Sequence, residues 1–329
     1  MKIAVIHDYA DVMRTTRAFP KLQAAGHEVT IYNDAYIDPA RVVAQVKGCD
    51  VLLLTQQRVV ITREILSQLP QLKFISQTGR NVSHLDVAAC TDLGITVSAG
   101  GHDGASPYTT TGELAWALIL ASLRHIPFEV ENFKAGHWHT TAGTRLAGAT
   151  LGIYAFGHIG SGVARVGKAF GMKVVCWGRE GSLAKAKAEG YDIAASREAF
   201  FEQSDVISLH LPSNAATKGI ITAADLARMK PTALIVNTSR APIIAQGALE
   251  EALKKGRPGF AAVDVYEEEP ITGGNHPLLK MKNCLCTPHL GYSEKGSYES
   301  IYEGGVEQIL AYAAGKPINV LNPEAAAKK

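Results

Sequence analysis

Short apolar runs alternate with longer stretches of helical composition along nearly the whole chain. Lys2–Ile6, Glu28–Tyr32, Asp50–Leu54, Lys73–Ser76 and Ile95–Val97 read as strands. Between them lie a helical stretch ending near Ala25, the segment Pro39–Lys47, and Thr62–Leu69, entered by a capping Thr. Strands joined through helices cannot pair by tight hairpins, so the pattern predicts a parallel sheet with helices on both faces. A second series starts near Thr150, with strands at Leu151–Tyr154, Lys173–Trp177, Val206–Leu209, Ala233–Val236, Ala261–Val263 and Cys284–Cys286. A last helix is expected over about Ser293 to Ala314, and the tail from Asn322 to Lys329 is expected to be mobile.

The two series are joined by a helical pattern from Pro107 to Arg124. Its run Leu114 to Leu120 is too continuously apolar for a helix with one wet face, so burial between domains or subunits is expected. A less periodic stretch, Phe128 to Gly148, follows. A length of 329 residues fits two domains of about 150 each. The charge balance, 33 basic against 31 acidic residues, lends no support to a nucleic-acid or membrane-surface role. The longest apolar run, Leu114 to Leu123, is far below the roughly 20 residues that span a bilayer. Five cysteines cannot all pair within one chain, and Cys284 and Cys286 look like one face of a strand rather than a metal pair. Reduced thiols in a cytoplasmic protein are expected. His102, His137 and His139 have no matching ligand spacing and read as loop histidines, so no metal is expected.

Leu151 to Gly160 runs from a strand into a helix. The dinucleotide fingerprint at such a turn is G-x-G-x-x-G; here it reads Ala155-Phe156-Gly157-His158-Ile159-Gly160. Gly157 is the position at which backbone approaches a pyrophosphate, and Gly160 the one that lets helix and strand pack closely. The helix N-terminus, with His158 and Ile159, would present N–H groups to the phosphates. At the end of the next strand an NAD enzyme usually carries an acid that bonds the ribose 2′-OH. This chain has Gly178 there, followed by Arg179 and Glu180. Arg179 suits a 2′-phosphate, which favours NADP; Glu180 taking the hydroxyls is the NAD alternative.

Three further segments end strands: Val236-Asn237-Thr238-Ser239-Arg240-Ala241, Val263-Asp264-Val265-Tyr266-Glu267-Glu268-Glu269-Pro270, and Cys286-Thr287-Pro288-His289-Leu290-Gly291. Open α/β sheets bind ligands beyond the C-terminal ends of their strands, so an Arg, a Glu and a His are expected in one crevice. With these motifs in this order the chain resembles the D-isomer-specific 2-hydroxyacid dehydrogenases, from the Gln77-Thr78-Gly79 turn to His289. The resemblance implies two Rossmann-like or flavodoxin-like α/β domains with parallel sheets. The cofactor domain, 104–292, would be inserted in a discontinuous substrate domain, 1–103 plus 293–329. It implies that Arg240 binds substrate, that His289 is the acid/base, and that Glu269 supports it. Thr238, Ser239 and Asp264 would contact the cofactor around the nicotinamide, and Leu211, Pro212 and Thr217 would wall the adenosine side.

Those roles are chemically coherent. Reduction of a 2-keto acid needs a hydride on C2, which a nicotinamide supplies, and a proton on the carbonyl oxygen. A histidine can supply that proton, and a carboxylate beside it fixes its orientation and favours the charged ring. Arg240 keeps its charge, so it can hold a carboxylate and polarise the keto oxygen. The resemblance also assigns the substrate carboxylate to the turn at Thr78, Gly79, Arg80 and Asn81. Here Asn81 replaces a usual Gly, and Ser83-His84 depart from the family pattern. Asn81 is expected to keep the turn by tolerating left-handed geometry.

The expected reaction is NAD(P)H-linked reduction of glyoxylate, hydroxypyruvate or a related 2-keto acid by a homodimer formed through the cofactor domain. Its rivals are 3-phosphoglycerate dehydrogenation, disfavoured by the lack of a C-terminal regulatory extension, and formate dehydrogenation, disfavoured by Glu269. A nucleotide-sensing interaction protein of the same fold, like the C-terminal-binding-protein corepressors, is the non-catalytic alternative.

Overall fold

A computed structural model describes residues 1–35, 37–100 and 107–328. His102 and the expected domain boundary at 103/104 lie outside the described residues. The chain divides into two compact units, Met1–Ser106 with Glu294–Lys329, and Pro107–Ser293.

The first unit holds five parallel strands: β1 Lys2–Ile6, β2 Glu28–Ile31, β3 Val51–Leu54, β4 Phe74–Gln77 and β5 Thr96–Ala99, in the order β2-β1-β3-β4-β5. β3, β4 and β5 are buried along their whole lengths, as strands covered on both faces must be. The last helix, Lys295–Ala313, packs on this sheet. It approaches so closely that a Cβ on Gly305 would lie 2.7 Å from Leu53 Cδ1. Ser76 Oγ donates to Gln308 Oε1 at 2.8 Å and ties the helix to β4.

The chain is fastened to this sheet where the expected mobile tail begins. Leu321 N donates to the Val97 carbonyl at 2.9 Å, and Val97 N donates to Asn322 Oδ1 at 2.8 Å. Ser98 and Val320 form an antiparallel bridge. Asn322 is 1% exposed and also donates to the Ile95 carbonyl at 2.9 Å. The tail supplies partners for the outer edge of β5, whose backbone groups would otherwise be unpaired. A polar composition hid this, because the stabilising bonds come from backbone and one Asn rather than from an apolar pattern.

The second unit holds seven parallel strands: β6 Thr150–Tyr154, β7 Lys173–Trp177, β8 Asp192–Ile193, β9 Val206–Leu209, β10 Leu234–Asn237, β11 Phe260–Val263 and β12 Cys284–Cys286. Their order is β12-β11-β10-β9-β6-β7-β8. The two-residue β8 is too short to show a pattern in sequence. The helix Pro107–Leu123 lies wholly in this unit, with Ala115, Trp116, Leu118, Ile119 and Leu123 buried. They share one cluster with Leu151, Ile153, Leu234 and Val236, so the unit's own sheet covers this face of the helix. The aperiodic stretch after it contains a short helix, Ile126–Lys134. That helix buries none of its residues, and Phe128, Phe133 and Trp138 stand exposed.

Among the described residues, no helix is long and apolar enough to cross a membrane.

Candidate active site

Strand order in the second unit reverses between β6 and β9: β6 leads to β7 on one side, and β9 to β10 on the other. All strands run parallel, so the loops after β6, β9, β10, β11 and β12 leave the same edge of the sheet. Ligands of open α/β sheets bind at such a reversal.

The loop after β6 leads into the helix His158–Ala169, with Gly157 at its N-cap. A Cβ on Gly160 would lie 2.3 Å from the Ala155 carbonyl oxygen, so only glycine lets the helix sit this close to the strand. A Cβ on Gly157 would meet nothing within 4 Å, which leaves the N-terminus of the helix open to a ligand. Ala155, at the first glycine of the pattern, has φ +74°, the left-handed conformation that glycine adopts without strain. Phe156 N donates to Ser182 Oγ at 2.6 Å, fastening this loop to the helix Glu180–Ala188. His158 is exposed and Ile159 half-buried at the first turn.

Two buried polar groups on the same edge lack partners among the described residues. Thr238 is 6% exposed, and its hydroxyl has no hydrogen-bond partner. Both ring nitrogens of His210, at the end of β9, are covered and unpartnered, and burial pushes this ring down to about 4. Orphaned buried polar atoms beside an open helix N-terminus fit a bound dinucleotide.

Gly178 follows β7 with φ +156°, and a Cβ there would stand 3.3 Å from Ser182 Oγ and 3.4 Å from Ala155 Cα. The backbone therefore asks for glycine at this position whatever the cofactor. Arg179 is exposed at the N-cap of the next helix, and its side chain has no partner among the described residues.

The adenosine-side residues are placed differently from one another. Leu211 is buried in the unit's main core, Pro212 is exposed, and Thr217 Oγ1 donates to the Pro212 carbonyl at 2.6 Å. The Thr217 hydroxyl is thus engaged within its own loop, leaving Pro212 as the outward-facing member of the three.

The loops after β11 and β12 bring Glu269 and His289 together. His289 Nδ1 lies 2.5 Å from Glu269 Oε2, and Tyr266 N donates to Glu269 Oε1 at 2.8 Å. With both carboxylate oxygens accepting, the Nδ1–H of His289 is the donor of the pair, and Nε2 is the ring nitrogen left for chemistry. His289 has φ +54°, a conformation uncommon outside glycine and found at functional turns. Asp264 holds this turn. It is fully buried, accepting from Thr287 Oγ1 at 2.6 Å, Leu290 N at 2.7 Å and Gly291 N at 2.9 Å. Burial raises the Asp264 carboxyl above its ordinary range, opposed by these bonds. Asp264 was expected to contact the cofactor; in this structure its carboxylate is engaged with the turn that carries His289.

Arg240 follows β10 and is exposed, with Nη1 donating to the Ser239 carbonyl at 2.7 Å. Its backbone is set by Asn237, which is 2% exposed and donates through Nδ2 to the Arg240 carbonyl at 3.1 Å. Ser239 Oγ donates to the Leu209 carbonyl at 2.7 Å, joining the ends of β10 and β9. Asn237, Ser182, Tyr266 and Thr287 carry no motif that marks them in the sequence. Their common signal is a hydrogen-bonding side chain at a strand or helix end.

In the first unit, Thr78 is 1% exposed and its hydroxyl accepts from Gln56 N at 3.0 Å. Gly79 is half-buried, and Arg80 and Asn81 are exposed. Asn81 is not among the positive-φ positions. It shapes the turn instead by accepting from Ser83 N through Oδ1 at 3.0 Å. The expected left-handed Asn is therefore replaced by a side-chain-to-backbone bond. His84 is 7% exposed with both ring nitrogens unpartnered, and burial pushes it down to about 4.

The sequence profile of the D-isomer specific 2-hydroxyacid dehydrogenase NAD binding domain matches residues 116–291. The glyoxylate reductase of Aeropyrum pernix is 35% identical, over 95% of this chain and 96% of its own. The D-3-phosphoglycerate dehydrogenase of Methanocaldococcus jannaschii is also 35% identical, but the matched region spans only 52% of that protein. Among solved structures, a phosphoglycerate oxidoreductase from Vibrio cholerae superposes with a TM-score of 0.89 at 45% identity, covering 96% of this chain and 99% of that one. The chain belongs to the D-isomer-specific 2-hydroxyacid dehydrogenases, oxidoreductases that act on a CH–OH group with a nicotinamide cofactor.

Proposed function

We propose that the protein reduces a small 2-keto acid of the glyoxylate or hydroxypyruvate type to the D-2-hydroxy acid. The observation that carries this reading is the His289–Glu269 pair, held at 2.5 Å on the sheet edge that also bears the open Gly157 loop. The bound nicotinamide supplies the hydride. His289 delivers the proton to the carbonyl oxygen from Nε2, while Glu269 holds the ring by Nδ1. Arg240 carries a permanent charge for the substrate carboxylate and the developing alkoxide. The turn at Thr78, Gly79, Arg80 and Asn81 offers backbone N–H groups to a carboxylate.

Thr238, Ser239 and the Gly157–Gly160 loop hold the cofactor. NADP is favoured over NAD because the unpartnered guanidinium of Arg179 stands where a 2′-phosphate would be met. The protein works as a homodimer. The exposed Phe128, Phe133 and Trp138 of the second unit support that assembly, since apolar groups clustered on a surface mark contact sites.

Oxidation of 3-phosphoglycerate is the second reading, supported by relatives that bear that name. One assay separates them: absorbance of the reduced cofactor is followed, as its loss with a panel of 2-keto acids and as its formation from the oxidised cofactor with 3-phosphoglycerate. Turnover confined to the phosphorylated substrate would replace the first reading with the second. Cofactor binding without turnover on either panel would remove both.

A further inference from the structure

Three of the five cysteines, Cys49, Cys90 and Cys176, are buried, and burial pushes each thiol up to about 12. Such thiols are chemically inert. Cys284 and Cys286 differ. They lie on β12, where the two-residue side-chain period puts both on one face, half-exposed, with their sulfurs 3.7 Å apart. That separation is a direct sulfur–sulfur contact with nothing between.

We propose that Cys284 and Cys286 form a dithiol that hydroperoxides oxidise to a disulfide, and that this bond displaces the neighbouring turn Thr287–Gly291. Two features of the fold support it. β12 is a three-residue strand at the sheet edge, paired among the described residues with β11 alone, so its other side allows the backbone to bend. A disulfide brings the sulfurs to about 2.05 Å, and two residues on one extended strand meet that requirement only by bending.

The bend is transmitted at once, because Cys286 is bonded directly to Thr287. Thr287 is pinned on every polar atom: its N–H to the Val263 carbonyl at 2.9 Å, its hydroxyl to Asp264 and its carbonyl to the Tyr266 hydroxyl at 3.0 Å. A pull on Cys286 therefore loads the same bonds that hold Leu290 and Gly291 on Asp264.

The chemistry balances with a hydroperoxide as the oxidant. The contact between the two sulfurs lowers the Cys286 thiol and raises that of Cys284, so Cys286 is the one that ionises first. The Cys286 thiolate attacks the peroxide; the O–O bond breaks, an S–O bond forms, and the leaving oxygen takes up a proton as water or alcohol. Cys284 then attacks the Cys286 sulfenic acid. The S–S bond forms, the S–O bond breaks, and water leaves with the Cys284 proton.

The test uses the full chain with a stoichiometric amount of hydrogen peroxide. Expected is a loss of two hydrogens in intact mass, mapped by peptide analysis to Cys284 and Cys286 and reversed by dithiothreitol. Amide exchange at Leu290 and Gly291 should rise about tenfold in the oxidised protein. In Cys284→Ser, oxidation should stop at a sulfenic acid on Cys286 that dimedone traps, with exchange unchanged. Sulfinic acid in place of the bond, or a bond between chains, would overturn the proposal, and so would a mapped disulfide with unchanged exchange. These readouts do not depend on the reaction proposed above, so failure of that reading leaves them intact.

Discussion

Substituting alanine for each of the two loop glycines, one at a time, separates folding from cofactor binding. At Gly160 the added Cβ would stand 2.3 Å from the Ala155 carbonyl oxygen, far inside any ordinary carbon–oxygen contact, and backbone cannot rotate away. The helix His158–Ala169 has to withdraw from β6. Overpacking of this kind costs about 1–3 kcal/mol. For a domain of roughly 150–250 residues that lowers Tm by roughly 2–12 °C. At Gly157 the added Cβ meets nothing within 4 Å, and φ is −94°, so the fold has no reason to object. Stability should change by no more than about 0.5 kcal/mol. If the loop cradles a pyrophosphate, however, that open space is where the ligand lies. Gly157→Ala should then raise the Kd for the reduced cofactor at least about tenfold, or about 1.4 kcal/mol. The assay is fluorescence titration of the reduced cofactor, with thermal melts of the same samples. A Gly157→Ala protein that melts like the parent and binds within about twofold of it would refute the cradle.

Four further outcomes are expected. His289→Gln should lower kcat by about two to four decades with cofactor Kd unchanged, the range for losing a general acid; unchanged turnover would remove the assignment. Arg179→Ala should cut the preference for NADPH over NADH in kcat/KM by about one decade or more; an unaltered ratio would leave the 2′ position to another residue. Asp is unsuited to position 178 as a reciprocal test, because φ there is +156°. His84 stays neutral in the fold until about pH 4, against 6.5 for the free ring, so between those values the unfolded chain binds the extra proton. Stability should therefore fall as pH drops through that window, by about 1.4 kcal/mol per unit, and His84→Phe should flatten that slope in urea melts. Light scattering should show a dimer at micromolar concentration, and a monomer there would refute the assembly.

Much of this fold was legible because its signals are local. Short apolar runs separated by helical stretches specify parallel strands, and six of the seven in the second unit are legible in the sequence to within a residue. Gly157 and Gly160, Arg240, Glu269 and His289 stand at strand ends, so their motifs announced a site before any coordinates. Parallel topology then required those loops to share one edge of the sheet.

What sequence could not supply depends on contacts between distant positions. Asp264 is legible as a residue ending a strand; only folding reveals that its carboxylate meets Thr287, Leu290 and Gly291 and holds the turn of His289. Gly178 looked like a deleted acid, but its backbone angle and its closeness to Ala155 require glycine. The polar tail looked free, yet Asn322 completes the edge of β5 across more than two hundred residues of sequence. Pattern along the chain determined which elements form and which residues end them, because strand and helix periods are written in neighbouring side chains. Hydrogen-bond partners were decided by tertiary structure alone, because a buried polar group is satisfied by whatever the fold brings beside it.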